Sequence, residues 1–317
     1  MSDLVTFGET MLRLSPPGNE RFESARSFDV GAGGAESNVA IAAERLGAVS
    51  TWMSKLPNSA LGRRIVGELN QCGIITDVVW SPNGRVGTYY LEHAGKPRGT
   101  NVIYDRQGTA LSNASADEFD LGLIKNARAF FTSGITPALS PTLQETVKQL
   151  LKVARQSGTT TAMDVNYRRK LWSPQEAQDV LQSLFPGIDI LIIAARDAEV
   201  VLGFEGDHRQ LAHSLASKFD FTTVVVTRGE QGALAWHDSV VHDHDAYETD
   251  TVEPIGSGDA FTGAFLARRL AGDEVQRALE YAVAAAAVKR TIPGDTARLT
   301  KAEVEAVVAN RTEDLSR

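Results

Sequence analysis

The stretch Glu253-Pro254-Ile255-Gly256-Ser257-Gly258-Asp259-Ala260-Phe261 joins a glycine-rich turn to the start of an apolar segment. Two glycines flank a serine, so three successive backbone N–H groups can point toward one place without interference from Cβ atoms. Apolar residues with helical spacing begin at Ala260. A helix N-terminus carries partial positive charge and unpaired N–H donors, so Gly256, Ser257 and Gly258 are predicted to form a phosphate cradle.

Asp259 stands where a simple phosphate-binding turn would avoid negative charge. We interpret its carboxylate as a general base that accepts the proton of a substrate hydroxyl while the cradle holds the transferred phosphoryl group. The alternative is an ordinary helix N-cap, because aspartate is a preferred residue there. The turn alone does not separate these two roles, so the rest of the chain has to.

Composition limits the classes of partner. The chain has 317 residues and a formal net charge of -8, with a pI near 5.4, so a basic face for nucleic acid or an acidic membrane is not expected. No apolar run approaches the roughly 20 residues of a membrane span, and the strand-like start of the chain predicts no signal peptide. The single cysteine, Cys72, allows no internal disulfide and favours a reducing cytoplasm.

Strand-like and helix-like segments alternate along most of the chain, which predicts a parallel sheet covered by helices on both faces. The alternation breaks where 86–93 and 101–106 follow each other as two strands without a helix between them, a hairpin. We expect a small separate sheet, the lid, formed by roughly 11–33 and 79–111 within a single domain of residues 1–317. An exposed strand edge on this lid would favour a homo-oligomer joined there.

Polar residues follow two of the predicted strands. Thr227, Gly229 and Gly232 belong to a glycine-bearing turn after a buried strand, as expected for a loop approached by a nucleotide, although a plain hairpin turn has the same pattern. Arg168 follows another strand end. Its guanidinium can hold a carboxylate or phosphate through paired N–H groups, or it can form a surface salt bridge.

The predicted lid strands carry Tyr89, Tyr104 and Arg106. Tyr104 and Arg106 are two residues apart and therefore share one face of a strand. Phenol groups suit the hydroxyls of a polyhydroxy acid and a guanidinium suits its carboxylate. The alternative is an ordinary solvated strand face.

Other motifs give little support to other classes of enzyme. The glycines at 31–34 lack the third glycine of the dinucleotide fingerprint, and Gly-x-x-x-x-Gly-Lys-Ser/Thr is absent from the sequence. His237, His242 and His244 alternate with aspartates in a pattern that zinc could use, but they fall in a polar loop between predicted strands. We favour the structural interpretation of these histidines.

Taken together, the motifs resemble those of the PfkB, or ribokinase-like, family of carbohydrate kinases over nearly the whole chain. One family signature is similar to 31–40, Gly-Ala-Gly-Gly-Ala-Glu-Ser-Asn-Val-Ala, and the other to 256–261. Within the family, Gly-Thr-Tyr-Tyr at 87–90, Tyr104-x-Arg106 and Asp-x-Asn-Tyr-Arg at 164–168 are most similar to 2-keto-3-deoxygluconate kinases.

The resemblance implies a ribokinase-like three-layer α/β/α sandwich with a mainly parallel central sheet and a small β-sheet lid, and ATP and Mg²⁺ as cofactors. It makes Asp259 the catalytic base and Gly256, Ser257 and Gly258 the anion hole. The implied sugar-binding residues are Gly34, Tyr89, Tyr104, Arg106 and Arg168. The implied ATP-binding residues are Thr227, Gly229, Gly232, Ser257, Gly258, Ala286 and Lys289.

Two motifs depart from the family pattern. The usual Asp-Thr-x-Gly before the cradle is Glu253-Pro254-Ile255-Gly256 here. The Asn-x-x-Glu motif that helps to place magnesium aligns with Ala194 to Asp197, so Asp197 is the one metal-binding residue that the resemblance implies.

The expected activity is ATP-dependent phosphorylation of 2-keto-3-deoxygluconate at its terminal hydroxyl to give the 6-phosphate, with the galactonate-derived epimer left open as a second substrate. One alternative is a kinase of the same family that acts on a neutral sugar such as fructose or ribose, or on a nucleoside, for which Arg106 has little use. Another is a sugar-binding protein without catalytic activity.

Overall fold

The computed structural model describes residues 1–94, 97–204 and 206–309, which form two β-sheets and the helices around them. The predicted connection at Gly95 and Lys96 and the last residues of the predicted domain lie outside these ranges. The strands are β1 (Leu4–Phe7), β2 (Met11–Ser15), β3 (Asp29–Gly33), β4 (Ser50–Pro57), β5 (Ile75–Ser81), β6 (Thr88–Glu92), β7 (Asn101–Asp105), β8 (Ala129–Ser133), β9 (Thr160–Asp164), β10 (Ile190–Ala194), β11 (Thr223–Thr227), β12 (Ala233–His237) and β13 (Val240–His244). The α-helices are α1 (Ala35–Arg45), α2 (Ala60–Gln71), α3 (Leu121–Lys125), α4 (Ile135–Ala138), α5 (Pro141–Gln156), α6 (Pro174–Leu184), α7 (Ala195–Leu202), α8 (His208–Phe219), α9 (Ser257–Leu270), α10 (Val275–Arg290) and α11 (Lys301–Val308).

The larger sheet has nine strands in the order β13-β12-β11-β10-β9-β8-β1-β4-β5. From β11 to β5 every neighbouring pair is parallel, and the pairs β11–β12 and β12–β13 at one edge are antiparallel. The predicted mainly parallel sheet is therefore confirmed. Asp164, Ala194 and Thr227 are the last residues of three adjacent strands, so they lie at one edge of the sheet, where ligands of such folds bind.

Both faces of this sheet are covered by helices, because successive buried residues of a strand point in opposite directions. In β8, Phe130 packs into the core with helices α3 to α8, and Phe131 packs into the opposite core with α1, α9, α10 and α11. Helix α2 packs with α1 over Trp52 of β4. The result is the predicted three-layer sandwich.

Helices α1 and α9 approach each other at Gly263. A Cβ atom added there would lie 2.5 Å from the carbonyl oxygen of Val39 and 2.6 Å from the Cβ of Ala42. Only glycine allows this contact. The close packing fixes α9, which begins at the predicted cradle, against α1.

The smaller sheet contains the predicted hairpin. Its order is β3-β2-β6-β7, with β6 and β7 antiparallel and Tyr89 opposite Tyr104. The lid is thus a separate sheet, as expected. One boundary was wrong: residues 79–81 belong to β5 of the large sheet, because that strand continues to Ser81. Among the described residues, no helix is long and apolar enough to cross a membrane.

Candidate active site

The predicted cradle is a tight turn at the start of α9. Gly256 has φ 81°, and a Cβ atom there would lie 2.0 Å from the carbonyl oxygen of Asp295, so glycine is required on both grounds. At Gly258 a Cβ atom would meet no atom within 4 Å. The turn is therefore packed behind Gly256 and open at Gly258, which leaves room for an anion in front of it.

The N–H groups of this turn do not all point the same way. Ser257 donates its N–H to the carbonyl oxygen of Pro254 at 3.3 Å and its hydroxyl to the same oxygen at 2.7 Å. Ala260 donates to the Gly256 carbonyl oxygen at 2.9 Å. Within the described part of the chain, the N–H groups of Gly256, Gly258 and Asp259 have no acceptor. These three groups, and not that of Ser257, are the available donors.

Asp259 is the third residue of α9, and its side chain does not cap the helix. The N-cap position is Gly256, and the Asp259 carboxylate instead accepts a hydrogen bond from Asn38 Nδ2 at 2.8 Å. The N-cap alternative is therefore wrong. Burial raises the pKa of Asp259 to about 7, while the hydrogen bond from Asn38 and the charge of Arg168 lower it. A carboxyl group with a pKa near neutrality suits a general base.

A cavity of about 500 Å³ lies in front of Asp259, between the large sheet and the lid. All five predicted sugar-binding residues line it: Gly34, Tyr89, Tyr104, Arg106 and Arg168. So do Asp164, which belongs to the same predicted loop as Arg168, and three polar residues that were not predicted as site residues, namely Glu9, Asn38 and Asp295. The signal for Asn38 was available, because it belongs to the first signature stretch.

Two of the predicted sugar-binding residues already have carboxylate partners. Arg106 donates its Nε to Glu9 Oε2 at 2.9 Å, and its Nη2 lies 2.6 Å from the same oxygen. Tyr89 donates its hydroxyl to Asp295, and burial raises the pKa of that phenol. For Arg168 the described residues contain no carboxylate within ion-pair distance. Arg168 is thus the cavity-lining guanidinium that is free to meet an anion.

Asp164 and Asp197 bring two more carboxyl groups to the cavity wall. Burial, and then the charges of Asp197 and Asp259, raise the pKa of Asp164 to about 8. Burial also raises the pKa of Asp197, whose Oδ2 accepts the N–H of Tyr167 at 3.0 Å. Carboxylate oxygens are preferred Mg²⁺ ligands. A divalent cation would also relieve the repulsion between the negative charges of Asp164 and Asp197, so these residues fit the metal.

A second cavity of about 290 Å³ opens on the other side of the cradle. Six of the predicted ATP-binding residues line it: Thr227, Gly229, Gly232, Ser257, Gly258 and Ala286. Lys289 does not, since its side chain is fully buried and its Nζ donates to the carbonyl oxygen of Ile292 at 3.1 Å. Lys289, which the resemblance placed among the ATP-binding residues, therefore does not reach this cavity. Tyr247 and Phe261 add aromatic surface that was not predicted.

The histidines considered for zinc lie on the antiparallel edge hairpin. His237 and Thr223 are hydrogen-bonded across β12 and β11 at 2.9 Å, and His244 bonds to the Asp245 carbonyl oxygen at 2.7 Å. In residues 1–94, 97–204 and 206–309, no group of three or more His, Cys, Asp or Glu side chains is placed to hold a metal ion.

The chain is similar to known proteins in its family profile, its sequence and its structure. A family profile described as pfkB family carbohydrate kinase matches residues 1–302. The chain is 55% identical to the 2-dehydro-3-deoxygalactonokinase of Haloferax volcanii, over 97% of this chain and 96% of that protein. It is 30% identical to the 2-dehydro-3-deoxygluconokinase of Thermoproteus tenax, over 94% and 91%. The crystal structure of 2-dehydro-3-deoxygluconokinase from Thermotoga maritima is similar with a TM-score of 0.91 and 36% identity, over 96% of this chain and 98% of that chain.

Proposed function

Because this chain belongs to the pfkB family of carbohydrate kinases, we propose that it transfers the terminal phosphoryl group of ATP to the terminal hydroxyl of a 2-keto-3-deoxy sugar acid. The gluconate- and galactonate-derived epimers are both candidate substrates, since relatives of 30% and 55% identity carry the two names. The product is the 6-phosphate.

One observation supports this proposal most strongly: the two cavities share Thr227 and Gly258 as lining residues. A nucleotide in the smaller cavity and a sugar acid in the larger one would meet at the start of α9. Asp259 lines only the sugar side. In this arrangement a base would lie beside the acceptor hydroxyl and N–H donors would lie beside the transferred group, as phosphoryl transfer requires.

The reaction needs one proton acceptor and one binding site for negative charge. The sugar hydroxyl oxygen attacks the terminal phosphorus, the bond from that phosphorus to the ADP oxygen breaks, and Asp259 takes the hydroxyl proton. The free N–H groups of Gly256, Gly258 and Asp259 stabilise the charge on the transferred group. Closure of the lid over the sugar cavity would exclude water and limit ATP hydrolysis.

The polar groups of the larger cavity suit a sugar acid better than a neutral sugar. Arg168 has no carboxylate partner among the described residues, and Arg106 retains Nη1 beyond its pair with Glu9. The Asn38 Oδ1 atom is buried and unpaired within the described ranges. We infer that the guanidinium groups hold the substrate carboxylate and that Asn38 Oδ1 accepts a hydrogen bond from a sugar hydroxyl.

The cofactor and compartment follow from the same proposal. Asp164 and Asp197 would hold Mg²⁺, which would neutralise phosphate charge when bound. Ala194, which stands in place of the asparagine of the family motif, has no side-chain oxygen for the metal. In this proposal the Asp164 carboxylate supplies a metal-binding oxygen besides that of Asp197. The single cysteine, Cys72, is buried and free, and a reducing cytoplasm remains our expectation.

The test is ADP release with Mg·ATP against both 2-keto-3-deoxy acids, gluconate, fructose, ribose and adenosine. We expect turnover with the 2-keto-3-deoxy acids alone. Asp259→Asn should lower kcat by about 10² to 10⁴ at unchanged stability, and Asp179→Asn, an exposed change on α6, should have no effect. Turnover of a neutral sugar would overturn the sugar-acid assignment, and wild-type kcat in Asp259→Asn would overturn the base.

A further inference from the structure

Lys289 is a buried cation that the proposed reaction does not yet use. It lies in the last turn of α10, its side chain is fully buried, and it lines neither cavity. Its Cε lies 3.3 Å from the position that a Cβ atom of Gly256 would take. The end of this side chain is thus packed directly behind the first glycine of the cradle.

Without Lys289, the buried carboxylates near it would outnumber the fixed positive charges. Arg13 Nη2 lies 2.8 Å from Glu253 Oε2, and Arg13 also pairs with Asp295, so one guanidinium serves two buried carboxylates. His93 Nε2 lies 2.9 Å from the same Glu253 oxygen and adds a positive charge only when it is protonated. Glu253 and Asp295 are the groups whose charges most favour the protonated form of Lys289, and Asp259 acts in the same sense, whereas burial lowers its pKa and Arg13 opposes it. Lys289 therefore supplies a second positive charge, which acts on these carboxylates from beyond ion-pair distance.

The cradle would stand in a negative environment if this charge were absent. With His93 neutral, two carboxylates and one guanidinium leave a net negative charge behind the turn, and Asp259 adds another in front. A polyphosphate bound at the cradle would then be repelled over a short distance. We propose that Lys289 provides the fixed positive charge that allows the terminal phosphate groups of a nucleotide to bind at the cradle, and that it acts through the turn without touching the ligand.

Lys289 also has structural contacts that have to be separated from this role. Its ammonium group donates to Ile292, and the N–H groups of Val252 and Glu253 donate to the carbonyl oxygen of Arg290 at 2.8 and 2.9 Å. The end of α10 and the segment before the cradle are therefore joined. Lys289→Gln keeps an N–H donor and loses the charge, whereas Lys289→Met loses both, so the pair of variants separates charge from anchoring.

This inference rests on the proposed kinase function, and its test is a binding experiment that needs no turnover. Calorimetric titration with a non-hydrolysable ATP analogue and with AMP, both with Mg²⁺ present, compares a ligand that reaches the cradle with one that lacks the terminal phosphates. Both variants should bind the analogue about 10- to 100-fold more weakly, as expected for one unit charge several ångströms away. Binding of AMP should change less than about twofold, because AMP places no phosphate at the cradle.

Chemical rescue supplies the second measurement. In Lys289→Ala, methylammonium at high concentration should restore analogue affinity by about tenfold or more, whereas tetramethylammonium, which is too large for the space, should not. Recovery of affinity in Lys289→Gln but not in Lys289→Met, or equal weakening of AMP and the analogue, would overturn the proposal. A wild-type protein that binds the analogue but phosphorylates no sugar acid would overturn the proposed function and leave this inference standing.

Discussion

The hydrogen bond from Asn38 to the Asp259 carboxylate should set the pH at which the enzyme works. Asn38 Nδ2 lies 2.8 Å from Asp259 Oδ2. Burial raises the pKa of Asp259 and this bond lowers it, and the two effects together leave a pKa of about 7. Asp259 must be ionised to accept a proton, so kcat/KM should rise with pH through that pKa. Asn38→Leu removes the donor and keeps a side chain of similar volume.

The size of the effect follows from the strength of the bond. A hydrogen bond to a charged group contributes about 1.5 to 3 kcal/mol, and 1.36 kcal/mol corresponds to one pH unit, so the ascending limb should move upward by about 1 to 2 pH units. At pH 7 the wild-type base is about half ionised and the variant about 1 to 10%. The expected loss of kcat/KM at pH 7 is therefore about 5- to 50-fold.

The assay is kcat/KM for the sugar acid between about pH 5.5 and 9.5, with Asp259→Asn as the control that is slow at every pH. Asn38→Leu should approach its own plateau only at high pH. If Asn38 Oδ1 also binds a sugar hydroxyl, that plateau lies below the wild-type one. If kcat/KM of Asn38→Leu rose over the same pH range as that of the wild type, the argument would be refuted, because the hydrogen bond would then have no effect on the ionisation of Asp259.

Three further changes test other parts of the site. Arg168→Gln should raise KM for the sugar acid about 10- to 100-fold, and the exposed neighbour Arg169→Gln should not; equal effects of the two would remove Arg168 from the site. Gly263→Ala should lower the free energy of unfolding by about 1 to 3 kcal/mol in urea titration, since its Cβ atom would lie 2.5 Å from a carbonyl oxygen of α1; unchanged stability would mean that the helices separate without cost. Asp197→Asn should raise the Mg²⁺ concentration for half-maximal rate about tenfold, and an unchanged Mg²⁺ dependence would exclude it as a ligand.

The parts of the site that the sequence predicted are local in the chain. The cradle and its base occupy one turn, and the strand ends at Asp164, Ala194 and Thr227 come together because parallel strands end at one edge. The partners of the individual side chains were not predictable. Arg106 pairs with Glu9 across 97 residues, Tyr89 with Asp295 across 206, and Asn38 with Asp259 across 221. Periodicity and turn chemistry carry no information on such distant pairs.

Lys289 is a residue whose helix was predicted correctly but whose side-chain contacts were not. The family resemblance implied that both Ala286 and Lys289 bind ATP, and the two residues lie three apart on α10, close to one face of the helix. Ala286 lines the smaller cavity. The lysine stem is long enough to carry its ammonium group away from that face and beneath the cradle turn, where its Nζ donates to the carbonyl oxygen of Ile292. The sequence gives the face of a residue on a helix but not the direction of a flexible side chain.

Glu253 gives a structural reason for the departure from the family pattern before the cradle. Its Oε2 is 2.8 Å from Arg13 Nη2 and 2.9 Å from His93 Nε2, and its Oε1 accepts the N–H of Ile255 at 3.3 Å. Arg13 belongs to β2, and His93 follows β6, so both partners come from the lid. The carboxylate therefore connects the lid directly to the segment that presents the phosphate cradle. A movement of the lid over a bound sugar would act on this same carboxylate, and the position of the cradle would depend on whether the sugar cavity is closed.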